Sequence, residues 1–384
     1  MIFAEPSLSA EDRRVLKNLQ NQREKLRLST QHNPRRWYGT LRKNTFARVI
    51  QGSNAIEGYN ASMDEAMAAV EDEPPLDERT EVWEAINGYR SAMTCIMQAA
   101  EDPYFEFSKQ FLKSLHFMMT QSDLSSHPGK WRPGSVRVVN DETGTVVYEA
   151  PDVELVDPLI QELVQYLDDQ KQQSVVVTAA MAHLNLTMIH PFKDGNGRMA
   201  RALQTLVLAR EGLIHPLFSS IEEWLGRNTQ EYYNILGETG KGAWNPSHSA
   251  LPWVRFCLKA HYQQANTLIR RHEEYETLFD SVEALMKRKK LNERMTVPLF
   301  NSAIGMRVTN ARYQKETEVS SYTAGRDLKV LTDLEILVPH GEKRGRYYTA
   351  GKELKDARHG ARRERPILDP YDLPEGSVPR LPGP

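Results

Sequence analysis

Two cysteines are all that 384 residues contain. Cys95 and Cys257 lie far apart and neither has CxxC or metal-type spacing, which argues against a disulfide framework and a thiolate metal centre. Both are expected to be isolated, buried thiols. The chain also lacks an excess of charge of either sign: its formal net charge is -2, so no global field recruits nucleic acid or an anionic membrane, and such binding would need a local patch. The opening MIFAEPSLSAEDRR has no basic segment followed by an apolar one, so no signal peptide is expected. No apolar run approaches the roughly 18 residues that span a bilayer. The expectation is a protein without membrane spans in a reducing cytoplasm. No internal repeat is visible.

What the chain does contain is ordinary for a globular protein: 40% hydrophobic and 26% charged residues, and a length that suggests roughly two or three domains. Residues 1–128 read as helical. Ser9 is placed to cap a first helix, Thr45–Ser53 suggests a second, and Glu71-Asp72-Glu73-Pro74-Pro75 breaks the chain before the helical period resumes. A helix from Ser108 to about Met119 follows. The period then changes. Ser135–Val139 and Thr145–Glu149 are β-rich runs around the turn-forming Asn140-Asp141-Glu142-Thr143-Gly144, a hairpin signal inside a helical chain. A two-stranded hairpin is marginal alone, so this one needs a packing partner or a task.

From Val153 the helical period returns. Val177, Ala180, Met181, Leu184 and Met188 recur at helical spacing up to Pro191, and a further helix is expected from near Arg198 to Gly212 as C′ glycine. Between them lies HPFKDGNGRMAR, His190 to Arg201. His190 stands where a helix gives way to a loop that Phe192 can anchor. Gly195-Asn196-Gly197 allows a tight turn with several N–H groups aligned, and the helix that follows adds its own free N–H groups and dipole to the pull on an anion. Arg198 and Arg201, three apart, share a helix face suited to phosphate oxygens. Asp194 is placed to hold Mg²⁺ bridging phosphates. His190 has the ordinary pKa of a general base for an attacking hydroxyl. Singly these are a satisfied histidine and solvated arginines. Together within twelve residues they point to phosphoryl or nucleotidyl transfer.

The same twelve residues resemble the Fic-domain signature HPFx(D/E)GNGRxxR at every defined position, and the resemblance covers at least residues 40–265. It implies a mostly α fold with a β-hairpin flap and transfer of AMP from ATP to a Ser, Thr or Tyr hydroxyl, with pyrophosphate released. The second glycine of GNG matches the adenylyl-transferring pattern rather than the Doc-type kinase variant. Carried over by position, His190 is the base, Asp194 binds Mg²⁺, the backbone of Gly195, Asn196 and Gly197 cradles the α/β-phosphates, Arg198 contacts phosphate, and Arg201 holds the γ-phosphate. Residues 135–149 match the flap that docks a protein target by strand addition, with the protein itself as a first product to look for.

Upstream, SNAIEGYN matches the inhibitory pattern (S/T)xxxE(G/N) at Ser53, Glu57 and Gly58. The resemblance implies that Glu57 pairs with Arg201 and competes with the γ-phosphate, leaving an autoinhibited enzyme. In some members the same glutamate supports removal of AMP, which stays open here. Tyr232 and Tyr233 match a YY helix near the adenine pocket, while Gly240 departs from the pattern where an Asn often follows, which weakens the base assignment.

Residues 296–352 resemble a winged helix–turn–helix: Ser321 as cap of a recognition helix, Ala324, Leu328 and Leu331 inward, Arg326 and Lys329 outward, and a wing at Ile336–Thr349 with Lys343, Arg344 and Arg346 at its turn. From Phe300 to Lys352 there are 9 Lys/Arg and 6 Asp/Glu, an excess of only 3. DNA binding and a protein-binding or homodimerising role both stay open for this module. The expected organisation is an N-terminal helical region (1–95) with the inhibitory helix, a Fic domain (96–265), a helical linker (266–295), the winged helix (296–352) and a disordered tail (353–384). Three alternatives accompany the adenylyltransferase: a DNA-binding regulator using the core as an ATP sensor, a Fic enzyme with another nucleotide donor, and a de-AMPylating enzyme.

Overall fold

Side-chain caps define many of the helix starts. In the computed structural model, Ser62 and Glu65 form a reciprocal capping box, and the hydroxyls of Thr80 and Ser108 accept from Trp83 N and Phe111 N. The structure describes residues 1–31, 37–73, 80–139, 144–169, 174–342, 345–364 and 366–373. It is mostly helical, with two short antiparallel hairpins. The elements are α1 (Ala10–Gln31), α2 (Tyr38–Ile56), α3 (Met63–Glu71), α4 (Glu81–Glu101), α5 (Lys109–Thr120), β1 (Arg137–Val139), β2 (Val146–Glu149), α6 (Val153–Asp168), α7 (Val175–Ile189) and α8 (Asn196–Ala209). After them come α9 (Pro216–Ser219), α10 (Glu222–Arg227), α11 (Thr229–Gly240), α12 (Leu251–Lys289), α13 (Thr296–Ala303), α14 (Asn310–Thr317), α15 (Ser321–Asp333), β3 (Leu337–His340), β4 (Tyr347–Ala350) and α16 (Lys352–Ala361).

The chain divides into two compact units whose bounds differ from those of the expected domains. Among the described residues, the first unit combines those within 1–28, 44–266 and 367–373. Residues 1–95 are therefore no separate region: Val15, Leu19, Val49, Ile50, Ile86 and Tyr89 share one hydrophobic core with α7 and α8. At the centre, α7 is apolar on every side and buried nearly throughout, as a helix enclosed by others must be. It packs on α6 and α8. α8 begins at Asn196, two residues earlier than expected, because Gly195 at φ 75° takes the N-cap position and brings the rest of GNG into the first turn. In the first hairpin Arg137 pairs with Glu149 and Val138 with Tyr148, with an irregularity at Val139. Its expected turn, Asn140 to Thr143, lies outside the described residues.

The second unit combines residues 29–43 and 267–366, so the segment expected as a linker is its core: Leu278, Phe279, Val282 and Leu285 of α12 are buried. Helices α13, α14 and α15 lead into the hairpin β3–β4, in which Leu337 pairs with Ala350 and His340 with Tyr347. Ala324, Leu328 and Leu331 face inward as expected, and Arg326, Lys329 and Arg346 are exposed. The cap of α15 is Ser320 rather than Ser321. Lys343 and Arg344 lie outside the described residues.

The expectation of a disordered tail from residue 353 is overturned for two stretches. Lys352–Ala361 is helical because Leu354 and Ala361, seven apart, put one apolar stripe against α13 and β4 despite a polar composition. Residues 367–373 belong to the first unit, where Arg14 donates to the carbonyls of Leu373 and Tyr371, and Tyr371 donates to Asp12. Residues 374–384 lie outside the described ones. Leu354→Ala is expected to cost about 2–4 kcal/mol in a denaturant titration, against under about 0.5 kcal/mol for exposed Lys355→Ala. Equal effects would mean that α16 does not dock.

Candidate functional site

Helix α7 ends on His190, which takes a left-handed conformation at φ 51° and donates its N–H to Leu186 O. Its ring Nδ1 lies 3.2 Å from Thr187 O. The carbonyl fixes Nδ1 as the protonated nitrogen and leaves Nε2 as the acceptor. Burial lowers the His190 pKa and the positive charge of Arg132 lowers it further, against an upward pull from the Thr187 carbonyl, Glu57 and Asp194. The ring is therefore neutral near pH 7, the state a base requires.

The loop that follows is held from two sides. Inside it, Asn196 Oδ1 accepts from Phe192 N and Asn196 Nδ2 donates to Phe192 O, both at 2.9 Å, so this buried amide closes the turn on itself. From outside, His116 on α5 stacks flat on Phe192, with centroids 3.8 Å apart. Its Nδ1 accepts from Gly129 N and its Nε2 lies 3.0 Å from Asp194 O, a pair of bonds that specifies the Nε2–H tautomer. Burial pushes the His116 pKa down to about 4, which keeps that tautomer in place at neutral pH. His116 was not singled out from sequence: a histidine on an apolar helix carries no local sign that its partner is 78 residues away.

Arg198 and Arg201 are both buried, on a helix whose polar face would ordinarily look outward. Arg198 NH2 lies 3.2 Å from Asp194 Oδ2, its guanidinium sits over the Tyr59 ring, and its Nε has no partner among the described residues. Arg201 Nε donates to Ser53 Oγ at 2.9 Å, NH2 donates to Ser53 O at 3.0 Å and to Glu57 Oε1 at 2.6 Å, and NH1 has no partner among the described residues. Burial alone would lower the Arg201 pKa. The Glu57 carboxylate overcomes that and raises it, so the charge is permanent. Gly197 lies where a Cβ would collide with Glu57 Oε1 and crowd Arg201 NH1, so only glycine leaves the space between loop and glutamate open. Gly58, at φ 85°, turns the chain immediately after Glu57.

Ser53 lies on α2 and Glu57 follows its last residue, Ile56; at Gly52 this helix meets α10 backbone to backbone, and Arg48 on α2 also lies 3.6 Å from Glu223 on α10. A Cβ on Gly52 would stand 2.5 Å from Glu222 O, and one on Gly226 2.8 Å from Gly52 Cα. Tyr233 OH donates to Ile56 O at 2.8 Å, holding the end of the same helix, while its ring stays partly exposed. The base contact expected of Tyr232 is revised. Its ring is 1% exposed and packs toward Arg201, and its hydroxyl is 2.9 Å from His183 Nε2. The helix turns Tyr232 inward and Tyr233 outward, so of the pair only Tyr233 presents a face.

Among the described residues no group of three or more His, Cys, Asp or Glu could hold a metal. One carboxylate suffices for Mg²⁺, which takes its other ligands from phosphate oxygens and water, and half-exposed Asp194 at the mouth of the loop meets that requirement. The buried Arg201 NH1 and Arg198 Nε, both unpartnered, are the donors a polyphosphate would satisfy.

Behind Arg201 lies Glu222, fully buried, accepting from Tyr89 OH at 2.7 Å and Thr205 Oγ1 at 3.3 Å. Burial raises its pKa to about 7 from 4.5, against the opposing pull of Tyr89 and the Arg201 charge. A folded-state pKa raised above the unfolded value gives stability that is complete below pH 4.5 and lost as pH rises through about 7. Glu222→Gln should flatten the pH dependence of unfolding free energy over that window, measured by urea titration at a series of pH values. An unchanged slope would mean that Glu222 ionises as easily in the fold as outside it.

The Fic/DOC family model matches residues 106–208, which contain the whole loop and His116. Protein adenylyltransferase fic-1 of Caenorhabditis briggsae is 27% identical over 261 residues, 66% of this chain and 46% of the relative. A probable protein adenylyltransferase of Aquifex aeolicus is 33% identical over 96 residues, 25% of this chain and 28% of the relative. The chain thus spans less than half the length of these curated relatives. In fold, it resembles a Fic family protein from Desulfovibrio desulfuricans G20, with TM-score 0.58 and 18% identity over 90% of this chain and 97% of that one. It also resembles Fic-1 (residues 134–508) from C. elegans, with TM-score 0.54 and 22% identity over 67% and 72%. Residues 106–208, with the motif inside them, match the Fic/DOC domain, and the fold is similar to that of solved Fic proteins.

Proposed function

We propose that this chain is a protein adenylyltransferase that moves AMP from ATP to a Ser, Thr or Tyr hydroxyl of a protein, and that it is restrained by its own Glu57. The observation that carries the proposal is the convergence on one loop of a neutral histidine with a free Nε2, a glycine-opened turn at a helix N-terminus, and two buried arginines with unsatisfied donors. In this reading His190 Nε2 takes the proton of the target hydroxyl as its oxygen attacks the α-phosphorus, and pyrophosphate leaves. The N–H groups of Gly195, Asn196 and Gly197 neutralise the α/β-phosphate oxygens and Arg198 reinforces them. Asp194 would hold Mg²⁺, which supplies charge neutralisation on the polyphosphate when bound. Arg201 would take the γ-phosphate, and Tyr233 offers the exposed ring for the base.

The restraint follows from donor arithmetic. Arg201 spends Nε and NH2 on Ser53 and Glu57, so a γ-phosphate finds only NH1 and meets a carboxylate of like sign beside it. ATP would then bind with its α-phosphorus misplaced, and an ångström of misplacement is enough to cost about 100-fold in rate. The hairpin β1–β2 is the proposed dock. Val139, Val146 and Val147 are exposed on it, and Glu149 is already bridged to residues 242–244, which leaves β1 as the edge for an added strand. The protein itself is the first target to examine. No helix is long and apolar enough to cross a membrane among the described residues, and the cytoplasm is the compartment we propose.

For the second unit we propose a winged-helix module, supported by the order α13–α14–α15–β3–β4. Its exposed helix α15 carries Tyr322 and Arg326, but Lys329 is paired with Asp333, so the cationic patch is thin. This favours a protein partner or a second copy of the chain over DNA.

Glu57→Gly should raise AMP incorporation from labelled ATP by ten-fold or more, and His190→Ala in that background should abolish it. The mass of the modified protein separates AMP from other donors. A Glu57→Gly protein no more active than the parent would sink the restraint. Gly226→Ala pushes α2 away from α10 and is expected to release part of the same activity, without adding to Glu57→Gly.

A further inference from the structure

Arg132 belongs to no motif, yet it is 2% exposed and, among the described residues, makes no ion pair. Its hydrogen bonds instead go to main-chain carbonyls. Nε donates to His190 O at 2.9 Å, NH1 to Gly134 O at 2.6 Å and NH2 to Pro151 O, while its own backbone N–H donates to Pro191 O at 2.9 Å. Gly134 stands just before β1 and Pro151 just after β2. One planar fork therefore joins both feet of the hairpin to the residue at the end of α7. A buried cation without a paired carboxylate is expensive, and burial indeed lowers the Arg132 pKa against the weaker pull of Asp152 and Glu154. An apolar side chain of similar length would fill the space at lower cost, so packing alone does not call for arginine here.

A second tie runs in parallel. Tyr148, the inward residue of β2, donates its hydroxyl to Met188 O at 2.9 Å, two residues before His190. The hairpin is thus fastened to the carbonyl end of α7 from both strands' side, and each fastening ends on the backbone that carries His190.

We infer that Arg132 is a positioning residue that registers the hairpin, and with it any segment docked on β1, against His190. The inference rests on the proposed roles of His190 and the hairpin. Its physical content is that one rigid fork sets three carbonyls in a fixed triangle, a geometry that lysine, with a single ammonium, cannot reproduce.

Two readouts on the full chain test it, one of them independent of activity. Hydrogen exchange on Arg132→Met should quicken at least ten-fold in residues 137–139, 146–149 and 190–192, with the middle of α7 and α4 unchanged. Unaltered exchange in the hairpin overturns the inference whether or not the protein is an enzyme. In the Glu57→Gly background, Arg132→Met should lower protein modification at saturating ATP by about 30-fold while ATP affinity stays within two-fold. Arg132→Lys should restore only part of the loss. Full rescue by lysine, or a parallel loss of ATP affinity, overturns it. Should Arg132→Met fail to fold, Tyr148→Phe removes one hydroxyl. It is expected to quicken hairpin exchange and lower modification about three- to five-fold, and no change in either counts against the inference. An inert Glu57→Gly protein would defeat the proposed function alone, since exchange still decides the tie.

Discussion

The site depends on one guanidinium held in a buried position. Arg201 lies under α2 with Ser53 and Glu57 on two of its nitrogens and the Tyr232 ring beneath it. Removing either partner from a buried charge pair costs more than the pair contributes, because the remaining charge is stranded. The surroundings are arranged to prevent that. The histidines behind Tyr232, His183 and His261, are pushed down to about 3 by burial and stay neutral, so they add no competing cation. Glu222 supplies a second acidic group on the far side at the edge of its own ionisation. The loop, α2 with Glu57 after it, and α10 all converge on the position of that one side chain.

Much of this was legible in the sequence where the chemistry is local. HPFKDGNGRMAR holds the histidine, turn, helix start and both arginines within twelve residues, so their proximity needs no knowledge of the fold. The spacing of Ser53 and Glu57, four apart, likewise signals one face of a helical turn, although α2 ends at Ile56 and Glu57 follows it. What the sequence hides is contact across long separations. His116 reaches Asp194 over 78 residues and Arg132 reaches His190 over 58, and neither residue type announces its partner. The interleaving of residues 29–43 with 267–366 is hidden for the same reason. Composition misled at the tail, where two apolar residues seven apart hold a helix that a polar average conceals. Tyr232 and Tyr233 show that a residue pair on a helix divides between core and surface by phase, which chain position alone leaves undecided.

Backbone groups, rather than side chains, carry much of the positioning. His116, Arg132, Tyr148 and Tyr233 all bond to main-chain atoms at or beside the motif or α2. Bonds to the main chain tolerate change in the residue they hold, because the carbonyl persists whatever the side chain. The loop can then keep its shape while the chemistry mounted on it varies.

The crossing of Gly52 over α10 has a mechanical meaning of its own. No side chains interlock there, since both surfaces are main chain. The crossing is one tie among several: Phe46, Val49, Ile50 and Ile56 of α2 are buried in the core, Arg48 lies 3.6 Å from Glu223, Ser53 is held by Arg201, and Ile56 O accepts from Tyr233. Main chain on both sides leaves no side chain to give way, so a single methyl added at Gly52 or Gly226 has to be met by a shift of backbone.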